Sequence, residues 1–201
     1  MKEFYMNEQL FNQKAGQIKF FLTDVDGVMT DSSLSFFTDD AGKTHEIKHF
    51  ESLDGMGLMF LKYCGIRTGI ISRGNSPTLE FWANILNMDV LYYNVANKQL
   101  ALNDLQTVYH IAPLETAFVG DDIIDLGVLK RVGLPLSVLN GVEETKQAAL
   151  YVTQKHGGHG AVREIAEKIL KARGQWQQVV QDVQSGVFKL PPPQLRIVRG
   201  L

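Results

Sequence analysis

The sequence predicts an α/β protein built on a doubly wound parallel sheet. Short apolar runs, too short for helices and apolar on both faces, recur along the chain as buried parallel strands do. Stretches with helical spacing separate them, and strands alternating with helices make a parallel sheet covered on both faces. Three of the runs also stop abruptly in acidic or hydroxyl side chains. Open α/β sheets take their ligands beyond the carboxyl ends of the strands, which is where those side chains fall.

Taken in order, residues 3–15 set Phe4, Leu10 and Phe11 on a polar background, a short amphipathic helix. Ile18 to Leu22, interrupted only by Lys19, is the first strand, and it runs into Asp24-Val25-Asp26-Gly27. Side chains two apart on a strand share a face, so Asp24 and Asp26 are expected to point the same way. Leu34–Phe37, a polar turn at 39–43 and Thr44–Phe50 form a β-hairpin inserted at about 33–50. Gly55–Tyr63 is an apolar helix that Gly65 closes. Arg67–Ile71 is a second buried strand, followed by Ser72-Arg73-Gly74. Asn75 or Ser76 then caps a helix reaching Leu86, with Pro77 tolerated in its first turn.

Val90–Tyr93 is a third strand, Asn97–His110 an amphipathic helix with Lys98 at its start, and Thr116–Val119 a fourth strand ending in Gly120-Asp121-Asp122. A helix at Ile123–Val132, a strand at Pro135–Val138, a helix at Glu143–Ala149 and a strand at Tyr151–Thr153 follow. The turn His156-Gly157-Gly158-His159-Gly160 opens a helix at Ala161–Ala172. Residues 1–184 are expected as one domain. Residues 185–201, with Pro191-Pro192-Pro193, are expected as an extended arm outside the core.

A chain of 201 residues, 45% apolar and 21% charged, has the make-up of one ordinary globular domain. A net charge of −2 provides no basic footprint, so nucleic acid is not an expected partner. The single cysteine, Cys64, excludes an intramolecular disulfide and suits a reducing compartment. The first residues lack the apolar centre of a signal peptide, and no apolar stretch is long enough for a membrane span. A cytoplasmic protein without a membrane partner is expected.

Two carboxylates crowded at one strand end repel each other, and a bound cation relieves the repulsion. Carboxylate pairs of this kind, together with a phosphate, suit Mg²⁺. Asp24 would attack phosphorus and form an aspartyl-phosphate, while Asp26 would protonate the leaving oxygen and then activate water. Ser72 and Lys98 would hold the non-bridging oxygens, and Gly27 would let the backbone turn closely round the phosphate. Asp122 and Asp125 either orient these ligands or cap the helix from Ile123. Arg73 either reaches the phosphate or faces water.

At these positions the chain resembles the haloacid dehalogenase-like superfamily. DVDGVMTD is similar to its nucleophile motif, Ser72 to its strand-end hydroxyl, Lys98 to its basic residue and GDDIID to its acidic motif, in order over residues 18–173. The fold so implied is Rossmann-like, with the small hairpin and no large cap domain. KHFESLDGMGL, Asn97-Lys98 and GGHGAVRE further resemble the capless 3-deoxy-D-manno-octulosonate 8-phosphate phosphatase family. That resemblance implies a Mg²⁺-dependent phosphatase of lipopolysaccharide synthesis acting on a phosphorylated sugar acid. It implies Asp24, Asp121 and the backbone carbonyl of Asp26 as metal ligands. It also implies a homotetramer in which hairpins pack together and a neighbour's C-terminal segment helps close each site. Gly27, Arg73, Asp54 and His159 are the candidate substrate contacts. Leu53, the order Arg73-Gly74 and His159 depart from the family's usual Arg or Lys, Gly-Arg and Arg.

Blander readings exist for other residues. His45, His49 and His110 match no zinc spacing, and Cys64 is inert packing. Rival functions are a phosphatase for another nonulosonate or sugar phosphate, a phospho-receiver, or an assembly scaffold using hairpin and tail.

Overall fold

The computed structural model describes residues 8–201. Helix α1 (Glu8–Gln17) leads into β1 (Phe20–Thr23), and β2 (Ser35–Thr38) with β3 (Thr44–Ile47) forms the hairpin. Then come α2 (Ser52–Tyr63), β4 (Arg67–Ile71), α3 (Pro77–Ile85), β5 (Val90–Tyr93) and α4 (Gln99–Tyr109). The alternation continues through β6 (Thr116–Gly120), α5 (Leu126–Leu129), β7 (Leu134–Ser137), α6 (Glu143–Ala148), β8 (Tyr151–Val152) and α7 (Ala161–Ala172). Helix α8 (Trp176–Gln184) and β9 (Arg196–Arg199) finish it. Seven strands make one sheet in the order β8-β7-β6-β1-β4-β5-β9, and all its neighbours are parallel.

The alternation of side chains along the strands explains the two covered faces. Phe21 of β1, Leu91 and Tyr93 of β5 and Val119 of β6 pack with α2 and α7 residues such as Leu58 and Ile165. Phe20 and Leu22, Val90 and Tyr92, and Phe118 face the other way, onto Leu102 of α4 and Val128 of α5. Each such side chain removed from water contributes roughly 1.5–3 kcal/mol before the cost of ordering it. With β1 central, its register decides where the polar ends meet. Thr23 pairs with Ile70 on one side and Val119 on the other. Asp24, Ser72 and Asp121 therefore leave the sheet along one edge.

Several boundaries differ from the sequence expectation. The first helix lies at Glu8–Gln17, and Phe4 falls outside the described residues. Helix α2 starts at Ser52 because the Glu51 carboxylate accepts the Leu53 N–H at 3.0 Å. Gly65 closes it with φ +83°, a left-handed conformation that a side chain would strain. The helix predicted at Ile123–Val132 is a 3₁₀ turn, Ile123–Asp125, followed by the short α5. There Asp122 and Asp125 take backbone N–H groups and tighten the chain.

The sequence expectation omits α8, although Trp176, Val179, Val180 and Val183 do fall on helical spacing. The tail also differs from a free arm: Arg196–Arg199 extend the sheet beside β5. Arg196 grips Asp104 of α4 with two N–H groups at 2.5 and 3.0 Å, and Arg199 donates to the Tyr93 hydroxyl at 2.6 Å. No described helix is long and apolar enough to cross a membrane.

Candidate active site

At the edge where β1, β4 and β6 end, one cavity of about 250 Å³ is lined by Asp24, Asp26, Ser72, Arg73, Lys98 and Asp121. Asp24 is buried, with one carboxylate oxygen accepting the Val25 N–H at 2.7 Å and the other 2.7 Å from the Lys98 ammonium. Lys98, at the entrance of α4, is equally close to Asp125, at 2.7 Å. The fully buried Asp125 uses its second oxygen to accept the N–H groups of Asp121 at 3.0 Å and Asp122 at 3.3 Å. Asp125 thus locks the acidic loop and Lys98 together. Asp122 is exposed and caps the following turn through the Ile123 N–H.

Beyond β1 the chain turns sharply. The N–H groups of Val28, Met29 and Thr30 return to the Val25 carbonyl, and Gly27 adopts φ +88°. A Cβ at Gly27 would sit 2.6 Å from the Asp121 carboxyl carbon, so only glycine lets the two loops approach. The Gly-rich turn packs against the same loop. Asn140 donates to the Gly27 carbonyl at 2.9 Å and accepts the Gly157 N–H at 2.6 Å, while Gly158 N–H reaches the Val28 carbonyl.

Carboxylate oxygens of Asp24, Asp121 and Asp125 lie within 4.8 Å of one another. Three carboxylates thus face one ammonium in a buried setting. Burial, and then the charges of Asp24 and Asp125, push the Asp121 carboxyl up to about 7. Burial likewise raises Asp24, against the pull of Lys98. Burial alone would lower Lys98, but Asp24 and Asp125 outweigh it and hold the ammonium above its ordinary range. One oxygen of Asp121 is buried with no hydrogen-bond partner. An orphaned carboxylate oxygen beside excess negative charge, in an all-oxygen donor set, fits a hard divalent cation.

The cation must displace the proton that Asp121 retains below about pH 7. Calorimetric titration should therefore show roughly tenfold weaker Mg²⁺ binding at pH 6 than at pH 8, with proton release. An affinity unchanged over that interval would show the carboxylates already ionised.

Asp24, Asp26, Ser72, Arg73, Lys98 and Asp121, all singled out in the sequence, come together here. Ser72 is buried and its hydroxyl accepts the Gly74 N–H at 3.0 Å, whereas Arg73 is exposed on the rim. Asp24 and Asp26 do not share partners as two strand residues would, because β1 stops at Thr23 and Asp26 lies in the turn. Asp26 instead pairs with Lys48 from the hairpin.

Asp54 does not line the cavity. Its buried carboxylate accepts the N–H groups of Gly160 at 3.3 Å and Arg163 at 2.7 Å, capping α7, and burial raises it to about 6. That geometry makes Asp54 a link between α2 and α7 rather than the substrate contact expected of it. His159 lies in an adjoining cleft of about 380 Å³ with Asp31, Asn140 and His156. Lys48 and Asn140 are site residues that sequence reasoning misses. Lys48 opens the KHFESLDGMGL stretch that carries the family resemblance, but nothing in its local spacing points to Asp26.

A haloacid dehalogenase-like hydrolase family profile matches residues 76–165. The 3-deoxy-D-manno-octulosonate 8-phosphate phosphatase of Haemophilus influenzae is 34% identical over 177 residues, 88% of this chain and 95% of that protein. The crystal structure of the Moraxella catarrhalis phosphatase of the same name, in complex with magnesium ion, phosphate ion and KDO, superposes with a TM-score of 0.82. It is 36% identical, and the match covers 90% of this chain and all (100%) of that one. The cobalt-bound H. influenzae structure gives a TM-score of 0.78 at 34% identity, over 88% of this chain and 100% of that one.

Proposed function

Because the chain belongs to the haloacid dehalogenase-like hydrolases, among the 3-deoxy-D-manno-octulosonate 8-phosphate phosphatases, we propose that it hydrolyses that sugar-acid phosphate with Mg²⁺. The products are the free sugar acid, destined for lipopolysaccharide, and inorganic phosphate. The observation that carries this reading is the convergence of Asp24, Asp121 and Lys98 on one cavity at the carboxyl edge of the sheet.

Asp24, Asp121 and the backbone carbonyl of Asp26 would hold the metal. Bound there, it would neutralise the phosphate dianion so that a carboxylate could approach phosphorus. An Asp24 oxygen attacks in line and the ester bond breaks, the leaving oxygen taking a proton from Asp26. Asp26 then accepts a proton from the water that releases phosphate from Asp24. Lys98 and the Ser72 hydroxyl hold non-bridging oxygens where charge accumulates, and Asp125 keeps Lys98 aimed. Arg73 on the rim and Gly27 at the turn complete the phosphate contacts, with His159 toward the sugar.

We place this activity in the cytoplasm, in keeping with the single half-buried thiol of Cys64. We further propose a homotetramer assembled through the hairpin. Its Leu34, Phe36 and Phe37 are 66%, 59% and 51% exposed, an apolar face that neighbouring copies would cover.

The test is phosphate release from a panel of phosphosugars, including another nonulosonate phosphate because Leu53 stands where a cation is usual. The octulosonate ester should be preferred, EDTA should stop turnover, and Mg²⁺ should restore it. A flat panel would defeat the narrow assignment, and a stable phosphoprotein that releases nothing would favour a receiver. Light scattering on the same sample should weigh four chains.

A further inference from the structure

The hairpin returns one charge to the site. Lys48 directly follows β3 and lies two residues after Glu46, on the same side of an extended chain. Its ammonium donates to one Asp26 carboxylate oxygen and lies 3.1 Å from Glu46. Only 4% of the Lys48 side chain is exposed, against 42% for Asp26. Among the described residues the Asp26 carboxylate has no other hydrogen-bond partner. Its second oxygen faces the Gly74 backbone, where a Cβ would lie 3.6 Å away. Asp24, by contrast, is fixed by both a backbone N–H and Lys98. What aims Asp26 is therefore a side chain from the hairpin, itself steadied by Glu46.

We propose that Lys48 is the positioning residue for Asp26, holding one carboxylate oxygen so that the other meets the leaving oxygen of the substrate. This rests on the reading of Asp26 as proton carrier given above. In the first half-reaction the Asp24–phosphorus bond forms while the phosphorus–ester oxygen bond breaks. The freed electron pair stays on the ester oxygen, which takes the proton of Asp26. In the second, water adds to phosphorus and its proton goes to Asp26, and the pair of the breaking phosphorus–Asp24 bond returns to Asp24. One Asp26 oxygen must thus serve two successive oxygens at nearly one place. Misplacing such a group by an ångström costs on the order of a hundredfold. The hairpin then acts on the chemistry of its own chain, in addition to any packing between copies.

The experiment compares Lys48→Met, Lys48→Arg, Asp26→Asn and the Asp26→Asn/Lys48→Met double variant on two esters. One is 3-deoxy-D-manno-octulosonate 8-phosphate, whose alkoxide needs a proton to leave. The other is p-nitrophenyl phosphate, whose phenolate leaves without one. Because kcat/KM reports the bond-breaking half-reaction, K48M should lose about 10- to 100-fold on the sugar ester and less than about threefold on the aryl ester. K48R, which keeps a donor, should recover most of the loss, and K48M should add little to D26N. The ratio of the two kcat/KM values does not depend on how much enzyme is folded, so partial unfolding of K48M leaves the comparison valid. Equal losses on both esters, additive losses in the double variant, or unchanged rates would overturn the assignment. A wild-type enzyme that hydrolyses neither ester would instead bring down the reading of the reaction itself.

Discussion

Asp24→Asn yields a folded protein with no measurable turnover. Asparagine keeps the shape and one acceptor for the Val25 N–H, so circular dichroism and a cooperative melt should be retained. On the proposed mechanism, what disappears is the anionic oxygen that attacks phosphorus, together with one ligand of the cation. Loss of an obligatory nucleophile should lower kcat by about 10³-fold or more, and Mg²⁺ affinity should fall with it. Rapid quenching of the wild-type enzyme with labelled ester should trap phosphate on protein, and the variant should trap none. Residual turnover within about tenfold of wild type would end the covalent route.

Lys98→Met should be costly to both stability and rate. Lys98 is 3% exposed and bridges Asp24 and Asp125, which are 7% and 0% exposed. Removing the one ammonium leaves carboxylates buried without compensation, a change that typically costs about 3–5 kcal/mol. For a domain of this size that corresponds to roughly a 10 °C fall in Tm. The neighbouring carboxylates hold the ammonium above its ordinary range, so at pH 8 Lys98 is charged while Asp24 and Asp121, raised to about 7, are mostly ionised. Metal-free protein at pH 8 is therefore a suitable sample for differential scanning calorimetry. Addition of Mg²⁺ should recover part of the lost Tm, since the ion supplies positive charge to the same oxygens, while kcat should stay depressed about 10²-fold. A Tm within about 2 °C of wild type would show that the carboxylates are neutral without Lys98.

The parallel sheet was legible because apolar runs such as Phe20–Leu22 and Val90–Tyr93 are short, bounded and buried on both sides. Strand ends were legible for the same reason, so Asp24, Ser72 and Asp121 could be gathered into one site from their order alone. What local patterning does not carry is how a side chain turns once elements pack. Asp54 looks like a site acid beside Gly55, yet its carboxylate is taken by Gly160 and Arg163, far along the chain. Asp122 and Asp125 look equivalent in GDDIID, and only the packed loop shows Asp125 holding Lys98 while Asp122 caps a turn. Lys48 opens the KHFESLDGMGL stretch, yet only the path of the hairpin brings it to Asp26. The helical spacing of α8 is present but diluted by glutamines, and the β9 pairing depends on Arg196 meeting Asp104 across the fold.

The central place of β1 has a consequence for how the enzyme is born. Phe20 pairs with Arg67 and also with Thr116, so β1 waits for partners translated later. A nascent chain that already carries Asp24 and Asp26 lacks Lys98 and Asp121, and with them the means to assemble a reactive centre. On the proposed mechanism such copies stay chemically silent until Asp121 has been translated.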